Sequence, residues 1–217
     1  MVIKGSEVSG NFFEGLNFQI QEGDVGIFFF QNRNAGEEFL QLVLGMKRPK
    51  TGMLEIMGSN PAEMSRDELM DFRKTIGVVF KEGGLISNLR AWENMVLPSL
   101  YHRRLSGYEL KERGLRLLDE LGFRKEPMSR IAELSAFEKV IIGLARALLL
   151  EPYILVFYSA LEGLSLSDKE SLIKFTSRLK KDRTALLYIL HSHEEVALIE
   201  KGSPKNCQIF GVPEGVL

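Results

Sequence analysis

The turn Gln31-Asn-Arg-Asn-Ala-Gly36-Glu37-Glu38-Phe39-Leu40 joins a short apolar run to a segment of helical period. Such a turn can hold phosphate when its backbone N–H groups converge on the anion, a lysine reaches the terminal phosphates and a Ser or Thr hydroxyl ligates Mg²⁺. Only Gly36 of that pattern stands in place: the lysine position holds Glu37 and the hydroxyl position Glu38. Taken alone, the turn reads as an ordinary strand-to-helix connection with acids well placed against the helix dipole. No His/Cys/Asp cluster has metal-ligand spacing, so no metal site is expected, and His102 and His193 read as solvated surface.

The elements around the turn must position whatever chemistry it has. Gly26–Phe30 reads as a buried strand and Ala35–Met46 as a helix with Phe39, Leu40, Val43 and Leu44 on its apolar side. Strands are then expected at Met53–Met57, Ile76–Phe80, Tyr153–Phe157 and Thr184–Leu190. Helices are expected at Arg66–Arg73, Ala136–Leu149 and Ser167–Lys180, with a short one from His193. This alternation predicts an α/β fold with a mainly parallel sheet covered by helices on both faces. The polar helical stretch from about Asn88 to Arg130 would be a lobe inserted into the same domain, taken to span 1–217. Ligands of such folds sit beyond the carboxyl ends of the strands.

Composition narrows the classes. The 217 residues are 45% hydrophobic and 26% charged, which excludes collagenous and disordered chains, and the lone Cys207 excludes an internal disulfide framework. A net charge of −1 argues against nucleic acid as a partner. The start lacks the basic and apolar regions of a secretory leader, and the most apolar stretch, Val140–Phe157, is interrupted by Arg146, Glu151 and Pro152. A cytoplasmic chain is expected, peripheral to a membrane only through another subunit.

Five further segments, in order, carry a resemblance. They are Leu42–Gly58, Ile76–Pro98, Glu133–Pro152 with its Leu144-Ala-Arg-Ala-Leu148 run, Tyr153–Leu166, and Leu187–Ile199 with His191. Together they resemble the nucleotide-binding subunits of ABC transporters. Gly83-Gly84-Leu85 and Trp92–Pro98 are most similar to the ATPases of bacterial lipid-trafficking systems of the Mla type, also linked with solvent tolerance, and amino-acid importers share much of this pattern. The resemblance implies a P-loop NTPase-like sheet, a membrane permease as partner, and assembly as a homodimer or a heterodimer with another nucleotide-binding subunit.

It also implies roles for positions, many of which hold unexpected residues. Around Asn34, Ala35, Gly36, Glu37, Glu38 and Phe39 the phosphates would lie. Glu37 changes the local charge by two units, and each unit pair at about 4 Å and an effective dielectric near 20 is worth roughly 4 kcal/mol. Its carboxylate could instead fold back onto the helix N-terminus. Arg33 would fill phosphate space, Asn34 could take a positive φ, and Glu38 could hold a displaced metal. Lys81 stands at the glutamine position, Tyr158 at the metal-associated Asp, Ser159 at the general-base Glu and Ser165 at the dimer-loop Asp. A serine hydroxyl cannot take a proton from water as a carboxylate does. Leu134-Ser135 of the signature remain, followed by Ala136 and Phe137 in place of two glycines, and His191 keeps the switch position as the one retained catalytic candidate. Phe12 or Phe13 would stack on adenine, although both could be core residues.

Three functions fit: a structural or regulatory ABC subunit that no longer hydrolyses ATP, a working ATPase subunit with an altered site, and a free-standing binding module on the same scaffold. The first expects no cofactor; ATP with Mg²⁺ belongs to the second.

Overall fold

The computed structural model describes residues 2–102, 106–179, 184–202 and 207–211. The first half of the chain gives strands β1 (Ile3–Ser9), β2 (Leu16–Ile20) and β3 (Val25–Phe29), helix α1 (Arg33–Val43), strand β4 (Thr51–Ile56), helix α2 (Arg66–Arg73) and strand β5 (Ile76–Phe80). The second half gives helices α3 (Ala91–His102), α4 (Gly107–Glu120) and α5 (Ala136–Leu148), then β6 (Ile154–Tyr158), α6 (Leu166–Leu179), β7 (Ala185–Leu190), α7 (His193–Gly202) and β8 (Cys207–Phe210). The last residue expected in the helix from Ser167, Lys180, lies outside the described residues.

The main sheet runs β5-β6-β7-β3-β8, and every neighbouring pair is parallel. Because both faces are covered, its central strands read as unbroken apolar runs such as Val-Gly-Ile-Phe-Phe in β3. Ile27 and Phe29 point into a core shared with α3, α5 and α6, and Phe28 and Phe30 into a second core shared with α1. Each such buried side chain contributes roughly 1.5–3 kcal/mol.

β4 leaves this sheet. With β1 and β2 it forms a separate antiparallel sheet in the order β2-β1-β4, which closes over the α1 side of the second core. The expectation that Met53–Met57 belongs to the parallel sheet is corrected here, and β1, β2 and β8 are strands that periodicity did not reveal.

The stretch expected to form a lobe contains α3 and α4, whose Met95, Val96, Leu110 and Leu118 pack into the first core beside α5. Helices α2, α4 and α5 each begin with a capping box, from Ser65 with Glu68, Ser106 with Glu109 and Ser135 with Glu138. The loop after β5, Lys81–Gly84, is pressed onto α5. A Cβ on Gly143 would lie 2.7 Å from the Gly83 Cα, so two glycines let the backbones touch. The Arg146 guanidinium donates to the Gly83 and Gly84 carbonyls at 2.7 and 2.9 Å, and Lys139 pairs with Glu82 at 3.0 Å.

Gly143→Ala is therefore expected to cost about 1–3 kcal/mol in urea unfolding. An unchanged midpoint would show that the loop is not held against α5.

Candidate functional site

Helix α1 starts at Arg33, two residues before the expected Ala35, because Asn32 caps it: the Asn32 Oδ1 accepts from the Asn34 N–H at 2.9 Å. Asn34 is thus a helical residue, and the positive φ suggested for it is not found. The same cap removes the role suggested for Glu37. Its exposed carboxylate accepts from Gln41 Nε2 at 3.2 Å, one turn along the helix, instead of folding back. Ala35, Gly36 and Phe39 face inward and are buried.

Glu38 also faces inward. Its side chain is 3% exposed, and it accepts from the Asn11 backbone N–H and Nδ2, both at 2.7 Å, and from the Phe12 N–H at 3.2 Å. Lys47 lies 3.8 Å away. A Cβ on Gly10 would sit 2.3 Å from the Glu38 Oε2, so the segment after β1 wraps tightly around this carboxylate. Phe12 itself is exposed, and Phe13 is the core residue of the pair, 5.6 Å from the Phe30 ring and 6.0 Å from Phe39.

His191 follows β7 and lies over the start of α1. Its Nδ1 is 2.8 Å from the Phe30 carbonyl, which can only accept, so Nδ1 carries the proton. The Nε2 is buried and lacks a hydrogen-bond partner. A Cβ on Gly36 would meet the His191 Cε1 at 2.6 Å. The Tyr158 ring stands edge-on to His191 at 6.0 Å; burial pushes its hydroxyl pKa up, and the Glu37 charge adds to that. Ser159 is in the left-handed region at φ 50, 5% exposed, with its hydroxyl unpartnered.

Lys81 and Arg33 converge on a residue that sequence reasoning missed. The Arg33 guanidinium grips the Glu162 carboxylate with two bonds of 2.9 and 3.0 Å, and Lys81 Nζ adds one of 3.0 Å. The hydrogen bond from Arg33 is the main cause that holds the Glu162 carboxyl down to about 2, with Lys81 adding to it. In turn, Glu162 raises the Arg33 pKa. Its signal in the sequence was indirect: two cations just past the ends of two strands call for an acid past the end of a third.

So Asn34–Phe39, Lys81, Tyr158, Ser159 and His191 meet at the carboxyl edge of the parallel sheet, as expected of such folds. Ser135 is used elsewhere: its hydroxyl accepts from the Glu138 N–H at 3.2 Å and caps α5. Ser165 caps α6 in the same way through Asp168. His193, expected as plain surface, is exposed but stacks on Phe29 at 4.1 Å. Among the described residues, no group of three or more His, Cys, Asp or Glu side chains could hold a metal ion.

The model of the ABC transporter family matches residues 36–159, more than half of the chain. The chain belongs to the ABC transporter family. It is 27% identical to the methionine import ATP-binding protein MetN of Rhodopseudomonas palustris, over 87% of this chain and 53% of that protein. It is 29% identical to the lipoprotein-releasing system ATP-binding protein LolD of Bacteroides fragilis, over 84% of each. An arabinose import ATP-binding protein, AraG of Chromohalobacter salexigens, is 28% identical over 83% of this chain. The chain spans about half the length of the methionine relative and 37% of the arabinose one. In fold it is similar to CbiO1 of Clostridium perfringens, part of the cbiONQ transporter complex (TM-score 0.83, 19% identity, 96% of this chain and 84% of that one). A dimeric ATP-binding cassette, MJ0796, bound to ADP and phosphate, gives a TM-score of 0.78 at 23% identity over 90% of each chain.

With the P-loop NTPase fold, the chain carries its family's framework, but its loops are tied by their own side chains. No helix among the described residues is long and apolar enough to cross a membrane.

The depressed Glu162 pKa sets a pH dependence. Its ordinary value is 4.5 and its folded value about 2, so its ion pairs stabilise fully above about pH 4.5 and fade as pH falls toward 2. The Tm difference between the native chain and Glu162→Gln should be constant at neutral pH and shrink across that acid window. A difference independent of pH would show that the carboxylate charge is not what Arg33 and Lys81 hold.

Proposed function

We propose that this ABC ATP-binding-type subunit no longer hydrolyses ATP and serves as a structural or regulatory component of a transport system. The observation that carries the reading is Glu38. At the position where the family's hydroxyl ligates Mg²⁺, a carboxylate is turned inward and committed to Asn11 and Phe12. To ligate a metal it would have to give up charge-assisted hydrogen bonds worth about 1.5–3 kcal/mol each. Glu37 places a second negative charge where the triphosphate needs a cation, and His191 occupies the space directly over Gly36. The residues present therefore do not suit Mg-ATP. Proton removal from an attacking water also lacks its acceptor, since Ser159 follows β6 in place of a carboxylate.

Association with a permease at the membrane is the second half of the reading. Between α3 and α4 runs an apolar groove of about 400 Å³ lined by Trp92, Val96, Leu100, Leu110, Leu115 and Met128. Leu97 and Tyr101 of α3 and Tyr108 of α4 are also exposed. A surface of this kind marks a binding site, and an amphipathic helix of a membrane subunit would fill it. The Lys81–Gly84 loop, pressed onto α5, would pass the contact on to the strand-end cluster. A lipid-type cargo follows from the likeness of Gly83–Leu85 and Trp92–Pro98 to lipid-trafficking ATPases.

Calorimetry with Mg-ATP should show no binding tighter than millimolar, and a phosphate-release assay no turnover; micromolar affinity with measurable hydrolysis would overturn the loss of activity. Leu100 is 54% exposed, so Leu100→Asp should leave the Tm within about 0.5 kcal/mol equivalent while co-purification with the membrane subunit falls at least tenfold. Retention at the native level would sink the groove as the docking surface.

A further inference from the structure

Arg33, Lys81 and Glu162 come from the segments that follow β3, β5 and β6, Arg33 from the first turn of α1, and meet at one point on the carboxyl edge of the sheet. The Arg33 contact is a two-pronged fork, the geometry in which guanidinium binds carboxylate or phosphate alike. Lys81 closes the third side at 3.0 Å. Here the carboxylate bridges segments 129 and 81 residues away in sequence.

The charges also close among themselves. The Glu37 and Glu162 charges raise the Tyr158 hydroxyl pKa, after burial, and the Arg33 charge lowers it. Arg33 and Lys81 against Glu37 and Glu162 sum to zero. The buried Ser159 hydroxyl, directly after β6, has no hydrogen-bond partner. The cluster thus has the donors of an anion site and a carboxylate already seated on them.

We propose that Glu162 is the resident anion of this site: it occupies Arg33 and Lys81 and so closes the loop cluster to phosphate-bearing ligands from outside. The inference rests on the reading that the native chain takes no Mg-ATP, and it gives that state a cause in a residue outside the phosphate turn. It also gives the loop after β5 a fixed place without a ligand. Lys81 is held from one side by Glu162, while Gly83 and Gly84 are held from the other by Arg146. Removing the Glu162 charge leaves Arg33 and Lys81 with a net charge of +1 beside Glu37.

The test is titration of the full chain with magnesium-free inorganic pyrophosphate at constant ionic strength. The native chain should give no binding at millimolar concentration, whereas Glu162→Gln should bind at least about tenfold more tightly. Glu162→Ser serves as the second variant should the first fail to fold, with Tm reporting folding of both. Adding Arg33→Ala or Lys81→Ala to Glu162→Gln should abolish the gain. Equal affinity in native and Glu162 variants overturns the proposal, as does a gain that survives loss of both cations. If the native chain stays silent with Mg-ATP while the variants gain nothing, the resident-anion inference fails alone. If the native chain binds and hydrolyses Mg-ATP, the functional reading fails with it.

Discussion

A carboxylate with 3% exposure must find donors, and where Glu38 finds them shapes the rest of this site. Its partners are not on its own helix but on the segment that leaves β1, at Asn11 and Phe12. The bonds therefore tie α1, which packs on the parallel sheet, to the antiparallel sheet across the second core. Gly10 has to lack a side chain so that this segment can approach, since its Cβ would lie 2.3 Å from the carboxylate. With that end of α1 fixed inward, the helix N-terminus needs a local cap, and Asn32 supplies it. Glu37, next in the turn, is left pointing to solvent beside Gln41.

The opposite side of the same edge is ordered by the same need for charge balance. Arg33 projects from the first turn of α1 and is met by Glu162. Because Lys81 shares that carboxylate, the ion pairs join the loops after β3, β5 and β6. From Lys81 the connection runs through Gly83 and Gly84 to Arg146 on α5, the helix that packs against α3. Individually these are partly exposed pairs worth at most about 1 kcal/mol each. Their weight lies in joining segments that would otherwise be independent strand ends.

The parallel sheet was legible because burial on both faces leaves uninterrupted apolar runs bounded by helical periods. The antiparallel sheet was not. β2 does alternate, with Leu16, Phe18 and Ile20 apolar between Asn17 and Gln19, but over only five residues, and β1 is interrupted by an irregularity between Gly5 and Val8. β8 is a four-residue edge strand, half-buried throughout, and too short to register. The place of Lys81, Tyr158, Ser159 and His191 was legible by position, since each directly follows or ends a strand of the parallel sheet. Partnerships were not, because they depend on side-chain direction. Successive residues of a helix point about 100° apart, so Glu37 and Glu38, alike in sequence, face solvent and core respectively. Glu162 went unread because the cations it serves are 81 and 129 residues away in sequence.

Gly36 shows why a retained framework residue is weak evidence about a ligand. In a phosphate-cradling turn, glycine is needed so that the backbone can approach an anion. Here the neighbour is the His191 ring: a methyl group on residue 36 would come within 2.6 Å of its Cε1 and 3.2 Å of both Nε2 and the Ile189 side chain. The ring is itself fixed by its bond to the Phe30 carbonyl at the end of the strand that feeds the turn. The glycine and the histidine thus require each other sterically, whatever else the site binds. Their joint presence in the sequence is explained by packing alone, and the chemistry of the site has to be argued from the charged residues around them.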